Sequence, residues 1–286
     1  MTMSKTKRSL GYLALAVASY LLFFVLVDVI YVLPSLIYGQ NGPALDFNLV
    51  DCVADGIIIL AFGALYYFLI HRGWKRDEGE RGSVIELGWG KGLLIAAVLG
   101  LGVSGVSFLW LAGAETFLSG IGFVRESLEM LAKSNESFDG GIIFFQVLLI
   151  CVVGPIMEEL LFRGLICGSL ERATKVSWIP IVVSAVVFGI WHGIFVQSVY
   201  TCLMGLVVAY VYHRTHDLRW PILIHVVNNS FSMLLTTPAF AALGPIPNVF
   251  TAVMIVPSAY VLYRMMGGKD SGSESAASRR DGIEAV

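Results

Sequence analysis

Two adjacent glutamates and an arginine lie inside an apolar stretch of the sequence, with the spacing Glu158-Glu159-x-x-x-Arg163. Neighbouring residues of a helix point about 100° apart, so the two carboxylates cannot serve one point in space. Glu159 and Arg163 have the i, i+4 spacing that favours an ion pair, which lowers the cost of burying both charges. Glu158 then faces elsewhere and is the candidate general base. Pro155, three residues earlier, removes a backbone hydrogen bond and is expected to kink the helix.

Two further segments carry polar groups at helical spacing in apolar surroundings. Phe188 and His192 share one helix face, and His225 and Asn229 share another. Taken alone, His192 is typical of a hydrogen-bonded core residue, and the pair of His225 and Asn229 fits a polar contact between helices equally well. Together with Glu158, these side chains are the groups that activate a water molecule and stabilise an oxyanion.

The composition predicts that these groups lie within a membrane protein. Of the 286 residues, 57% are hydrophobic and 14% are charged, and the mean hydropathy is +0.78. A soluble domain carries about 25% charged residues. These figures exclude a soluble enzyme and a disordered chain. The 19 Lys and Arg against 21 Asp and Glu give no basic excess, which also excludes a nucleic-acid partner. The four scattered cysteines predict neither a disulfide framework nor a thiolate metal site.

We predict an all-α, polytopic membrane helical bundle with about eight transmembrane helices and cytoplasmic N- and C-termini. The apolar segments that suit spans of about 20 residues are 11–32, 52–70, 92–113, 142–162, 179–197, 198–212, 221–239 and 248–265. Residues 190–212 run almost without a polar break, so a count of seven also remains open. With both termini inside, only Arg125 and Lys133 of the 19 basic residues lie outside, as the positive-inside rule requires.

The chain is expected to form one transmembrane domain over residues 11–266, with its candidate catalytic core at about 142–239. Residues 1–10 are the predicted cytoplasmic N-terminus. The segment 267–286 is rich in Ser, Gly and charged residues and is expected to be a disordered cytoplasmic tail. The long external segment 114–140 has apolar residues at helical spacing and is expected to form an amphipathic helix at the outer surface.

Three other features are assigned structural roles. The segment Gly100–Gly105 satisfies GxGxxG but lies inside an apolar run, so helix packing is expected there instead of nucleotide binding. His213 and His216 lie in a short charged segment, which favours a solvated turn over a metal pair. Asp28 and Asp55 lie towards the outer ends of the first two spans, where water or one another can satisfy them.

The three polar motifs, in this order and on separate spans, resemble the CPBP family of intramembrane CAAX-processing proteases and bacteriocin-immunity proteins. The resemblance covers residues 158–229, with no departure at the signature positions. It implies an all-helical membrane endopeptidase, of the kind often labelled a metalloprotease, that hydrolyses peptide bonds near the cytoplasmic face. In eukaryotic members the substrate is a prenylated CAAX protein that loses its last three residues.

The resemblance also implies a role for each motif residue. Glu158 activates the water, and His192 orients it or shares its proton. His225 and Asn229 form the oxyanion site. Structural support comes from Glu159, Arg163 and Phe188. A shared site requires the two imidazoles to lie within about 12 Å of each other, although their helix positions suggest depths that differ by about 14 Å.

The need for a metal is left open by the sequence. Zn²⁺ held by Glu158, His192 and His225 would suit a catalytic zinc site, but a metal-free mechanism needs the same side chains. The sequence has no HExxH motif that would decide between them. Neither a nucleotide nor haem is expected.

The expected location is the cell membrane, with multiple passes, and the expected partners are the lipid bilayer and a peptide or prenylated protein substrate. One alternative is a non-proteolytic bacteriocin-immunity or membrane scaffold protein with the same fold, although a pure scaffold has no need of buried charges. Another is a transporter or channel that uses the buried acids as an ion path. The absence of visible repeats between the two halves argues against that second alternative.

Overall fold

The computed structural model describes residues 5–38, 46–72, 74, 84–138 and 142–267, and these residues form helices and short connections without a strand. The helices are α1 Lys5–Tyr38, α2 Phe47–Arg72, α3 Trp89–Leu118, α4 Gly122–Phe138, α5 Ile143–Ala173, α6 Trp178–Trp191, α7 Phe195–Thr215, α8 Arg219–Leu235, α9 Pro238–Ala241 and α10 Ile246–Gly267. The predicted all-α class is confirmed. The predicted tail beyond Gly267 lies outside the described residues.

Six of the described helices are long and apolar enough to cross a membrane, namely α1, α2, α3, α5, α7 and α10. The protein is therefore a multi-pass membrane protein. Each of the eight predicted apolar segments overlaps a helix, but α6 has 14 residues and α8 has 17. At 1.5 Å per residue, a 14-residue helix is about 21 Å long, short of a hydrocarbon core of about 30 Å.

The connection between α6 and α7 differs from the predicted boundary between residues 197 and 198. α6 ends at Trp191 and α7 begins at Phe195. Gly193 has a positive φ of 72°, a conformation that costs glycine little, and it reverses the chain between the two helices. The sequence showed no polar break here, because the turn is made by backbone conformation and not by polar side chains. The two helices are nevertheless separate, which decides against a single long span over residues 190–212.

The glycines of the GxGxxG segment pack α3 closely against two other helices. A Cβ on Gly100 would lie 2.7 Å from the Cβ of Val227 on α8. Side chains on Gly102 and Gly105 would overlap atoms of α10. These contacts are typical of small residues at helix interfaces in membranes, as the sequence analysis expected.

The amphipathic segment forms α4, and it begins after α3 has continued to Leu118. Val124 and Leu131 are buried, and Leu128 packs against the same cluster. Ser127, on the same helix, accepts a hydrogen bond of 2.9 Å from the backbone amide at the start of α7. α4 thus supports the α6–α7 turn through both apolar and polar contacts.

Candidate active site

The backbone of α5 changes its hydrogen-bonding pattern on both sides of the glutamate pair. Leu149–Val153 and Leu160–Cys167 are π-helical, whereas Gly154–Glu159 is α-helical. Short π-helical stretches are rare and occur often at functional sites, since they turn side chains and carbonyl groups away from their regular directions. The two glutamates therefore lie on a short α-helical stretch between two π-helical ones.

Pro155 explains a hydrogen bond between the π-helical stretch Leu149–Val153 and α8. The Gly154 amide donates to the carbonyl of Leu149, five residues earlier. In the same register the Ile150 carbonyl would need a donor from Pro155, which has no N–H. The Nδ2 group of Asn229 donates to that carbonyl instead, at 2.9 Å. The predicted effect of the proline on the helix thus extends to an inter-helix contact of a candidate site residue.

The Glu159 carboxylate is buried in a network of charges. Its Oε1 atom accepts a 3.0 Å hydrogen bond from Arg163, and neither side chain is exposed to solvent. The same oxygen lies 2.9 Å from Nδ1 of His225, whose side chain is 3% exposed. Because a carboxylate is an acceptor, Nδ1 of His225 is the donor. The ion pair predicted from the i, i+4 spacing is present, and it also fixes the orientation of an imidazole on α8.

Arg163 connects this network to the two helices that follow it in the chain. Its guanidinium carbon lies 4.4 Å from the centroid of the Phe188 ring on α6, and NH2 donates to the Gly205 carbonyl on α7 at 3.4 Å. A guanidinium over an aromatic face gains cation–π attraction, which is stronger when both groups are desolvated. Phe188 therefore stabilises the buried charge as well as filling space.

The Glu158 carboxylate lies on the opposite side of the His225 ring from Glu159, next to Nε2 instead of Nδ1. Its side chain is 14% exposed, and its Oε2 atom lies 3.7 Å from Nε2 of His225. Oε2 is itself buried and makes no hydrogen bond with the described residues. A buried carboxylate oxygen without a donor is costly. Oε2 of Glu159 is in the same state, but the charge of Glu159 is paired with Arg163, so Glu158 is the carboxylate better suited to bind an additional molecule.

His192 lies at the C-terminal end of α6, half-buried beside the same aromatic ring. Its Nδ1 atom lies 2.9 Å from the Phe188 carbonyl and is the donor, since a carbonyl only accepts. The Phe188 ring centroid is 4.8 Å from that of His192 and 6.0 Å from that of His225. The two imidazoles therefore meet the distance limit set for a shared site.

The two histidines have a common hydrogen-bonding pattern. In each, Nδ1–H is used by a fixed acceptor, namely the Phe188 carbonyl for His192 and Glu159 for His225. The Nε2 atoms of both rings are thus available for a ligand or a proton, and the outer hydrogen bond sets the tautomer. This is also the arrangement that orients metal-binding histidines.

Asn229 belongs to a chain of polar side chains that the sequence did not predict. Nδ2 of Asn228 donates to Oδ1 of Asn229 at 2.9 Å. Ser104 of α3 in turn donates to Oδ1 of Asn228 at 3.0 Å. An amide has two N–H donors, so Asn229 keeps a second one beside its bond to the Ile150 carbonyl. Ser104, one of two serines in the apolar run 92–113, was the available signal.

Asp55 is a second residue whose position the sequence did not reveal. A Cβ on Gly154 would lie 4.0 Å from Oδ2 of Asp55 and 4.0 Å from Oε1 of Glu158. The two carboxylates therefore flank one small residue of α5. Asp28, by contrast, is exposed. Asp55 on α2 thus belongs to the surroundings of Glu158.

The candidate zinc ligands have suitable chemistry but do not form a compact set. Glu158, His192 and His225 offer one carboxylate and two imidazoles, which is a ligand set of catalytic zinc sites. In the described part of the chain, their ligand atoms are not all within 4.8 Å of one another. An ion bound there would need movement of at least one side chain, and the role of zinc stays a proposal.

These features define a class of protein, a polytopic all-α membrane protein whose carboxylate, imidazole and amide groups meet inside the helical bundle. The family model that matches the chain is described as type II CAAX prenyl endopeptidase Rce1-like, and it covers residues 140–231. All the motif positions fall in that segment. Residues 140–231 are therefore similar to this family, and the resemblance drawn from the motifs is confirmed.

Two curated proteins are similar to parts of the chain. The protein named "Putative membrane peptidase YdiL" of Bacillus subtilis (strain 168) is 25% identical over 159 residues, which are 55% of this chain and 60% of the relative. The "Membrane-embedded CAAX protease MroQ" of Staphylococcus aureus (strain USA300) is 32% identical over 114 residues, which are 38% and 43% of the two chains. The chain thus matches less than two thirds of either relative. No solved structure matches it significantly.

Proposed function

We propose that this chain is an intramembrane endopeptidase that hydrolyses peptide bonds near the cytoplasmic face of the membrane. The observation that carries the proposal is the difference between two neighbouring glutamates. Glu159 is neutralised by Arg163, whereas the buried Oε2 of Glu158 faces an imidazole without a hydrogen bond among the described residues. A carboxylate of this kind is suited to take a proton from a water molecule.

In the proposed reaction, the water oxygen bonds to the scissile carbonyl carbon while one water proton moves to Glu158. His192, through its available Nε2, orients the water or shares that proton. When the tetrahedral intermediate collapses, the C–N bond breaks and the proton passes from Glu158 to the leaving amine. One residue thus acts first as base and then as acid, so no proton is gained or lost overall.

The negative oxygen of the intermediate would be stabilised by His225 and Asn229. His225 donates from Nδ1 to Glu159, and a proton carried on its Nε2 atom would be donated to the oxyanion. Asn229 contributes the N–H that is not used by the Ile150 carbonyl. Donors fixed in advance are effective because they need no reorganisation when charge develops.

The proposed substrates are membrane-associated peptides or proteins, with prenylated CAAX sequences as the first class to test. Support comes from the family model over residues 140–231 and from the name of the Staphylococcus aureus relative. The cytoplasmic placement is supported by the distribution of Lys and Arg over the predicted loops. Zn²⁺, if used, would be held by Glu158, His192 and His225, where it would polarise the water. In a metal-free reaction the same side chains act alone.

The test is cleavage of a library of prenylated CAAX peptides by purified wild type and Glu158→Gln in detergent. We expect cleavage by the wild type and a loss of about 10²- to 10⁴-fold in the variant, the usual contribution of a general base. Equal cleavage by the two proteins would contradict the proposal. Matched peptides without the prenyl group would show whether the lipid is required.

Two further results of this experiment have a clear meaning. If neither folded protein cleaves any peptide, the non-proteolytic immunity or scaffold alternative is favoured. Loss of cleavage in a zinc chelator, with recovery on adding zinc, would show that proteolysis depends on zinc. Unchanged cleavage in chelator would favour the metal-free reaction.

A further inference from the structure

A second cluster of carboxylate and imidazole groups lies near the end of α5, away from the proposed active site. Glu171 is near the C-terminus of α5, and His213 and His216 are at the end of α7 and in the turn that follows. Glu171 is twelve residues after Glu159, which corresponds to about 18 Å along a helix. The two clusters are therefore separate sites.

The side chains of this cluster converge on the two oxygens of one buried carboxylate. Nδ1 of His213 lies 2.6 Å from Oε1 of Glu171, and Nε2 of His216 lies 3.3 Å from Oε2. The side-chain exposures are 3% for Glu171, 26% for His213 and 17% for His216. The solvated turn expected from the sequence is therefore incorrect, because the histidines are folded back onto α5.

We infer that Glu171, His213 and His216 form a site for a divalent transition-metal ion, with Zn²⁺ as the best match. One ligand atom from each of the three residues lies within 4.8 Å of the other two. Tetrahedral zinc with bonds of about 2.0–2.2 Å holds its ligand atoms about 3.4 Å apart. The 3.3 Å contact of His216 already has this spacing, whereas the 2.6 Å contact of His213 would lengthen as the ion replaces the hydrogen bond. Two imidazoles and one carboxylate are a known zinc ligand set, and a water would complete the tetrahedron.

Two observations favour an ion over hydrogen bonds alone. Nε2 of His216 lies within ion-pair distance of the carboxylate yet makes no hydrogen bond with the described residues. Its direction thus suits a shared ion better than a direct bond. His216 also has φ 49° and ψ 29°, the left-handed conformation, in which a non-glycine residue is uncommon. This conformation brings the ring back towards Glu171.

The charged side chains next to the cluster interact with other groups, as the contacts of Arg172 and Asp217 show. The nearby Arg172 donates to the Gly168 carbonyl at 2.6 Å, and its guanidinium carbon lies 3.7 Å from the Trp74 ring centroid. Asp217, next to His216, pairs with Arg219 at 2.6 Å and is therefore engaged elsewhere. The ion would join the end of α5 to the end of α7. Its role would be to hold α5, which carries Glu158, in position.

The test is the zinc content of purified full-length protein after removal of metals and dialysis against micromolar zinc. We expect one equivalent in the wild type and its loss in His213→Gln and in His216→Asn, since asparagine tolerates the left-handed conformation. His71→Gln, which changes an exposed histidine on α2, is the matched control and should keep the ion. Glu158→Gln should keep it as well, which separates this site from the active site.

A cobalt-loaded sample gives a second readout that does not depend on proteolysis. We expect the visible absorption of tetrahedral cobalt in the wild type and in Glu158→Gln, and its absence in the two histidine variants. A wild type that binds no zinc would overturn the inference in favour of a hydrogen-bonded cluster. One equivalent retained in the combined His213→Gln and His216→Asn variant would overturn it too.

Discussion

Helix α5 carries two carboxylate–imidazole clusters that are built differently. At Glu159, one oxygen accepts from both Arg163 and His225, and none of the three side chains is more than 3% exposed. At Glu171, each oxygen faces one histidine, and those histidines are 17% and 26% exposed. The first cluster has its own buried cation, whereas the second presents two partly accessible imidazoles.

This difference separates a supporting role from a binding role. A carboxylate that is already paired with a guanidinium gains little from another cation, and its main effect is to orient His225. Two imidazoles with access to solvent can exchange a proton or an ion with their surroundings. The presence of Glu and His together is therefore not informative by itself. The cation already in place and the exposure of the rings decide what each cluster can do.

The largest expected effect is a loss of proteolysis, and it should be much greater for a substitution at the active site than for one in the Glu171 cluster. Glu158→Gln should lower kcat/KM by about 10²- to 10⁴-fold, because the proposed general base is lost. Glu171→Gln should lower it less than tenfold, because its carboxylate is about 18 Å along the helix from the reacting groups. Equal losses, measured on one peptide that the wild type cleaves, would show that the two clusters act as one site.

The second prediction concerns stability and the neighbouring glutamates. Glu159→Gln should lower the free energy of unfolding by about 3–5 kcal/mol, since Arg163 would keep a buried charge without its partner. Glu158→Gln removes no such partner and should cost less than about 1 kcal/mol. Unfolding titrations in mixed detergent micelles would measure both. A greater loss for Glu158→Gln would reverse the assigned roles.

Much of this organisation was visible in the sequence, because it depends on local periodicity. Apolar runs located eight of the ten described helices, and the i, i+4 spacing predicted the ion pair between Glu159 and Arg163. The sequence did not predict how short α6 and α8 are. The turn at Gly193 depends on a positive φ in an apolar segment, which hydropathy cannot detect.

The features that the sequence missed depend on contacts between distant segments. Glu171 and His213 are 42 residues apart, and only the packing of α7 against α5 brings them together. Asn229 reaches the Ile150 carbonyl across 79 residues, to a group made available by a change of helical register. Such a shift has no hydropathy signal, although Pro155 is its visible cause.

The third prediction compares Asn229 with its neighbour. Asn229→Ala should lower kcat by about 10²- to 10³-fold, the range found when one oxyanion donor is removed. Asn228→Ala acts only through the orientation of Asn229 and should cost less than tenfold. Comparing kcat and KM for the two variants would distinguish these roles. A larger kcat loss in Asn228→Ala would indicate that the second amide contacts the substrate.

The smallest expected effect is a shift in melting temperature that only the Glu171 cluster should give. A ligand at 100 times its Kd stabilises a protein by about 2.7 kcal/mol. For a chain of this size that is a few degrees in Tm, so zinc should raise the Tm of the wild type and of Glu158→Gln but not of His216→Asn. A zinc-dependent shift that is lost in Glu158→Gln would place the ion at the active site instead. Chelator effects on proteolysis should therefore be compared in the wild type and in His216→Asn, because the variant lacks the distant ion and retains the proposed catalytic groups.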